Sequence, residues 1–154
     1  MTVAPAKTAG RIRRLHSVIE GPADIWLLCR MALWAAALPL LKHALRLDTL
    51  ARLMWTETKK ESRGEVRKIL AASGLVTRPL ARSGGACYER SLLAYRFLAS
   101  RGADPKLVVA VRRDKTGVTA HAWVTVDGTT VGEPTPVDDF VPVVVYGRDG
   151  QRED

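Results

Sequence analysis

The residues of this sequence best suited to chemistry are Cys87 and His121. Cys87 follows Gly84, Gly85 and Ala86 and opens a segment with helical spacing. Unpaired amides and the helix dipole at such an N-terminus favour a thiolate, and the two glycines leave space for a substrate backbone. The pattern predicts a nucleophilic cysteine; the competing interpretation is a buried structural cysteine.

His121 lies in a segment whose alternation predicts a β-strand, residues 119–126. In such a strand His121, Trp123 and Thr125 share one face. A neutral imidazole held there can take the proton of the Cys87 thiol and later deliver it to a leaving amine. The competing interpretation is a hydrogen-bonded histidine packed beside Trp123.

A carboxylate is predicted to complete the group. Asp127-Gly128 is a strong hairpin signal, and the returning strand would bring residues 131–133 alongside residues 122–124. A carboxylate at Glu133 would then lie one pleat from His121, where it can orient the imidazole and stabilise imidazolium. The assignment depends on the register of the hairpin.

The composition excludes several classes of protein. The chain has 154 residues and a net charge of +8, with two cysteines and three histidines. A disulfide scaffold is excluded, no spacing resembles a metal site, and no cofactor is expected. Residues 1–77 hold 13 basic and 6 acidic side chains (+7), whereas residues 78–154 hold 11 and 10 (+1). The half with Cys87 is therefore nearly neutral, which disfavours a nucleic-acid partner for it.

The positioning elements divide the chain into four parts. We predict a basic arm over residues 1–20 and a helical N-terminal region over residues 21–77. A catalytic core over residues 78–146 and a polar tail over residues 147–154 follow. In the helical region we expect a helix over residues 25–54 that is kinked or divided near Pro39, and another over residues 62–73 ended by Gly74.

The core is predicted to be one helix followed by a small antiparallel sheet. The helix covers residues 87–101 and ends at Gly102; the strands cover residues 106–113, 119–126, 129–131 and 141–146. We expect the last strand at an edge, because Pro142 cannot donate to a ladder. The fold class is α+β.

Residues 25–41 form an apolar run that resembles a membrane segment. Its uninterrupted part, residues 31–41, is too short to span a bilayer, which takes about 20 residues. No signal-peptide pattern surrounds it, so we expect a cytoplasmic protein in which Cys29 is a small buried hydrophobe.

The core resembles a known family. The segment from Cys87 to Leu92, CYERSL, is similar to the C-x-x-R-S-L nucleophile helix of lasso-peptide leader peptidases, a transglutaminase-like branch of the papain-like cysteine proteases. His121-Ala122-Trp123-Val124 is similar to the H-A-W-V element of that family, and Glu133 follows the histidine by 12 positions. Many relatives have Asp at the position of Glu133.

The resemblance implies roles and partners. Cys87 would be the nucleophile, His121 the general base and acid, and Glu133 the orienting residue of a peptidase that removes the leader from a lasso-peptide precursor. The implied partners are that precursor, a separate leader-recognition (RiPP recognition element) protein, and a lasso cyclase similar to asparagine synthetase. The apolar, basic N-terminal helices are a candidate docking surface for a protein or for peripheral membrane contact, and the alternative is that they only cover the sheet.

Two other functions remain open. One is a transglutaminase-like amidase or acyltransferase, in which an amine resolves the thioester. The other is a basic helical binding module with an inert Cys87, which predicts strongly salt-dependent binding by residues 1–77.

Overall fold

The computed structural model describes residues 19–57, 65–83, 86–115, 117–133 and 136–153. Almost all of the predicted basic arm lies outside them. The described residues form four α-helices: α1 (Pro22–Ala44), α2 (Leu47–Met54), α3 (Val66–Val76) and α4 (Cys87–Ala99). They also form five strands: β1 (Pro105–Asp114), β2 (Gly117–Val126), β3 (Thr129–Val131), β4 (Val141–Tyr146) and β5 (Arg152–Glu153). The predicted α+β fold, with a helix packed on a small antiparallel sheet, is confirmed.

The sequence predicted a helix that is kinked or divided near Pro39, but the structure shows no division there. α1 continues through this proline, and the break comes where Leu45 turns extended, before α2 begins. An interior proline costs about 3 kcal/mol, but the surrounding Ala and Leu residues favour helix. Burial of Ala35 and Leu38 on the turns beside Pro39 further stabilises it.

One face of α1 packs on the protein and the opposite face is apolar and exposed. Leu27 and Met31 are buried, whereas Trp26, Leu33 and Leu40 are mostly exposed. The expectation that Cys29 is buried is wrong, because it lies on the outward face. The whole helix has 23 residues and is long and apolar enough to cross a membrane by length and composition alone. The short length of residues 31–41 therefore does not exclude a membrane span.

The predicted end of α3 at Gly74 is also wrong, and residues 62–64 of that prediction lie outside the described residues. Gly74 keeps a negative φ and has open space around its Cα, so nothing there interrupts the helix. The helix runs to Val76 and ends at Thr77, whose Oγ1 donates a hydrogen bond of 2.7 Å to the carbonyl oxygen of Ser73.

The sheet is antiparallel, with the strand order β3-β2-β1-β4-β5. Its predicted hairpin register is confirmed, since Val126 pairs with Thr129 and Val124 with Val131. Asp127 and Gly128 both have positive φ, 51° and 75°, as a type I′ turn requires.

The prediction that β4 lies at an edge is wrong, because β5 pairs with it. β5 reaches only Val145 and Tyr146, however, and Pro142 lies beyond it, opposite Ala110 of β1. The missing amide of Pro142 therefore interrupts no pairing with β5, which is how the proline is tolerated in an inner strand.

Helix α4 forms the centre of the core. Nine of its 13 residues are buried, among them Leu92, Leu93 and Phe97. Its buried Glu89 accepts a hydrogen bond of 2.6 Å from Lys42 of α1, which ties the N-terminal region to the helix that begins with Cys87. The hydroxyl of Tyr95 donates a hydrogen bond to the carbonyl oxygen of Gly147, at the end of β4.

We predict a large difference between two alanine substitutions at glycines with positive φ. At Gly128 a Cβ would have no neighbour within 4 Å, whereas at Gly150 it would lie 2.4 Å from the Arg52 backbone. Gly128→Ala should lower the free energy of unfolding by about 1 kcal/mol, from backbone strain alone. Gly150→Ala should lower it by about 3 kcal/mol or more, because the 148–150 turn must also move away from α2. Equal losses in urea unfolding would contradict the close packing at Gly150.

The ionisation of the three tyrosines at high pH tests how well the core is buried. Burial raises the pKa of Tyr88 to about 12 and also raises the pKa values of Tyr95 and Tyr146. Above pH ~10 the unfolded chain loses tyrosine protons that the folded chain keeps, so stability should fall as pH rises further. Absorbance at the tyrosinate band should therefore appear only with unfolding or near pH 12, and a titration of one tyrosine near pH 10 in the folded protein would contradict this.

Candidate active site

Cys87 is the first residue of α4, as the sequence predicted. The residue before it, Ala86, has no side chain that could cap the helix, and its carbonyl oxygen accepts a hydrogen bond of 2.9 Å from the amide of Arg90. Cys87 is partly exposed, so its thiol is accessible to a ligand.

Cys87 and His121 border one cleft of about 280 Å³. The cleft is formed by the end of α3, the first turn of α4 and the middle of β2. Thr77, Arg78 and Arg90 also line it. The structure therefore brings together the thiol and the imidazole that are 34 positions apart in sequence.

His121 is held by aromatic rings on its own face of the sheet. Its ring centroid lies 6.0 Å from that of Trp123, as the strand alternation suggested, and 5.3 Å from that of Phe140. The Arg112 guanidinium lies over the Phe140 ring, 4.8 Å from its centroid. The imidazole is only 12% exposed.

Glu133 is the second residue after β3, and its carboxylate is buried. The turn is made at Gly132, whose φ of +64° suits glycine, and a Cβ there would lie 2.9 Å from the Leu70 side chain of α3. The Glu133 side chain is 3% exposed, and its Oε1 lies 3.3 Å from Nε2 of His121. The predicted contact between the carboxylate and the imidazole is thus present in the structure.

The contact between His121 and Glu133 is not yet a hydrogen bond. Its distance is that of an ion pair, but Nε2 of His121 is buried and makes no aligned hydrogen bond within the described residues. The pair is therefore an electrostatic contact. Catalytic hydrogen bonds are often poorly aligned before a substrate binds.

Arg90 is the residue of the site whose contact the sequence did not reveal. It donates a hydrogen bond of 2.6 Å to Oε2 of Glu133, so that the carboxylate lies between a guanidinium and the imidazole. Arg90 is one turn after Cys87 on the same helix face. This i, i+3 spacing in the sequence could have indicated that Arg90 lies beside the cysteine.

Ser91 fastens this helix to the strand of His121. Its Oγ donates a buried hydrogen bond of 2.8 Å to the carbonyl oxygen of Ala122. Because the bond joins residues adjacent to Arg90 and His121, it fixes the spacing of the two groups that flank the carboxylate.

The described residues contain no group of three or more His, Cys, Asp or Glu side chains that could hold a metal ion. The polar side chains that line the cleft include those of Cys87, His121 and two arginines, and the Glu133 carboxylate contacts the imidazole. This set can carry out nucleophilic acyl transfer without a metal.

The fold and the cleft define an α+β protein with a cysteine at the start of a buried helix and a histidine and a carboxylate on the adjoining hairpin. The family model described as the transglutaminase-like superfamily matches residues 26–145. The chain belongs to this superfamily, which is compatible with cysteine protease or acyltransferase activity. No curated protein and no solved structure matches the chain.

A double-mutant cycle should measure the contact of Arg90 with Glu133. Arg90→Gln removes the guanidinium from a buried carboxylate, so we expect a loss of about 2 kcal/mol or more in the free energy of unfolding. Adding Glu133→Gln should recover part of that loss, because no buried charge then remains.

Lys106→Gln is the matched control for this cycle. Lys106 and Glu153 are also 2.6 Å apart, but their side chains are 44% and 40% exposed, so the variant should lose less than ~1 kcal/mol. Urea unfolding measures five proteins: the wild type, the two single variants and the double variant of the cycle, and Lys106→Gln. The burial argument fails if Arg90→Gln costs no more than Lys106→Gln.

Proposed function

We propose that the protein is a cysteine peptidase in which Cys87 is the nucleophile, His121 the general base and acid, and Glu133 the orienting carboxylate. The observation that carries this proposal is the chain of contacts from Arg90 through Glu133 to His121, beside a cleft that the imidazole shares with Cys87. Membership of the transglutaminase-like superfamily supports the same chemistry.

The proposed reaction begins with proton transfer from Sγ of Cys87 to His121. The Glu133 carboxylate faces Nε2, so Nδ1 is the nitrogen that receives the proton. The thiolate attacks the scissile carbonyl carbon, the C–N bond breaks, and His121 returns the proton to the leaving amine.

Water then completes the cycle. His121 takes a proton from water, the resulting hydroxide attacks the thioester, and the C–S bond breaks to give a carboxylic acid and the free thiol. Glu133 stabilises imidazolium in both halves of the reaction. The hydrogen bond from Arg90 fixes the direction of the carboxylate, so that it faces the imidazole.

The proposed substrate is the precursor of a lasso peptide, from which the enzyme removes the leader. Support comes from the C-x-x-R-S-L and H-A-W-V elements and from the carboxylate 12 positions after the histidine. In this proposal the protein acts in the cytoplasm with a separate leader-recognition protein and an asparagine-synthetase-like cyclase. Consistent with a separate recognition protein, the described residues before position 78 form helices and no strand.

The reactivity of the thiol tests the site without a substrate. The exposed Cys29 would also react, so Cys29→Ser is the background, in which Cys87 is the one remaining cysteine. Alkylation by iodoacetamide at neutral pH should slow about tenfold or more when His121→Ala is added, because the thiol loses its base. Glu133→Gln should slow it less.

The alkylation rate tests the proposed pair of Cys87 and His121 directly. Equal alkylation rates with and without the imidazole would contradict the roles of Cys87 and His121. His43→Ala is the matched control, because His43 is exposed on α1 and should leave the rate unchanged.

The peptidase activity itself is tested with a lasso-type precursor and its leader-binding protein. Mass spectrometry should show a leader that has gained water and a core peptide with a free N-terminus. Cys87→Ala and His121→Ala should abolish the products, and undiminished cleavage by either variant would contradict the proposal. A leader joined to an added amine, instead of water, would identify an acyltransferase of the same site.

A further inference from the structure

A second cleft lies outside the candidate active site. It has a volume of about 410 Å³ and lies between α2, the end of β4 and β5. The side chains and backbone that line it include Arg46, Asp48, Arg52, Tyr146, Gly150 and Arg152. None of these residues lines the cleft of Cys87 and His121.

Three exposed arginines surround this cleft. Arg46, Arg52 and Arg152 are all exposed, and among the described residues none of their guanidinium groups has a carboxylate or hydrogen-bond partner. The single carboxylate of the cleft, Asp48, accepts a hydrogen bond of 2.7 Å from the hydroxyl of Tyr146. The charged side chains of the lining therefore sum to +2, and its three guanidinium groups have no partner in the part of the chain that the structure describes.

The backbone beneath the arginines is fixed. Gly150 packs so closely on Arg52 that a Cβ would lie 2.4 Å from its backbone, which sets the 148–150 turn against α2. The hydrogen bond from Tyr146 to Asp48 joins β4 to the same helix. Arg52 and Arg152 thus extend from elements whose relative position is set by packing.

We propose that this cleft binds an acidic segment of a peptide. Guanidinium groups bind carboxylates in a bidentate manner, and three of them suit a ligand with several carboxylates. The volume is in the range of ligand clefts, about 300–1,000 Å³, and exceeds the size of one inorganic anion. Arg152 also belongs to β5, the outermost described strand, along which an extended peptide can lie. The site does not depend on the proposed peptidase activity.

Fluorescence anisotropy tests the proposal with two labelled octapeptides, one of alternating Glu and Ala and one of alternating Gln and Ala. The protein carries Cys87→Ala, so that no cleavage interferes. We expect the Glu peptide to bind about tenfold more tightly than the Gln peptide. The triple variant Arg46→Gln, Arg52→Gln, Arg152→Gln should remove this difference, and the charge reversal Arg152→Glu alone should weaken it.

A second triple variant, Arg67→Gln, Arg113→Gln, Lys115→Gln, is the matched control. It loses the same charge from exposed positions outside the cleft, so it should keep the affinity within about twofold. Equal losses in the two triple variants would assign the binding to net charge and overturn the proposal. Absence of binding, or complete displacement by inorganic phosphate at the same charge concentration, would also overturn it. Thermal melts followed by circular dichroism check that each variant is folded.

Discussion

The site depends on the burial of one carboxylate. A charge as enclosed as that of Glu133 is costly unless ionic and hydrogen-bonding partners surround it, and Arg90 and His121 provide these from two different elements. This requirement constrains three parts of the chain together: the first turn of α4, the middle of β2 and the turn after β3. The two partners of the carboxylate, Arg90 and His121, both line the cleft at Cys87.

The helix that begins with Cys87 is bound by hydrogen bonds to three other elements. Ser91 fixes it to β2, Lys42 reaches its buried Glu89 from α1, and Tyr95 donates to the backbone at the end of β4. A cysteine at the end of so constrained a helix keeps one position relative to the sheet. Precise placement of this kind is what a nucleophile and a base on separate elements need.

The sequence allowed the prediction of those features that local chemistry determines. The Asp127-Gly128 turn set the register of the hairpin, and that register brought Glu133 to His121. The features that depend on tertiary packing were predicted wrongly. Pro39 stays helical because Ala35 and Leu38 beside it are buried, and Cys29 is exposed because the buried face of α1 is set by its packing on α3 and α4. The pairing of β4 with the two residues of β5 has no signal in the sequence. The contact of Arg90 with Glu133 joins residues 43 positions apart, and only the fold shows which carboxylate the guanidinium meets.

Gly132 links the N-terminal helices to this chemistry. Its backbone passes so close to Leu70 of α3 that only glycine fits without a shift, and the next residue is Glu133. A movement of α3 would therefore be transmitted through a single residue to the carboxylate that faces the imidazole. The position of α3 and the position of the carboxylate that faces His121 are therefore linked by one close contact.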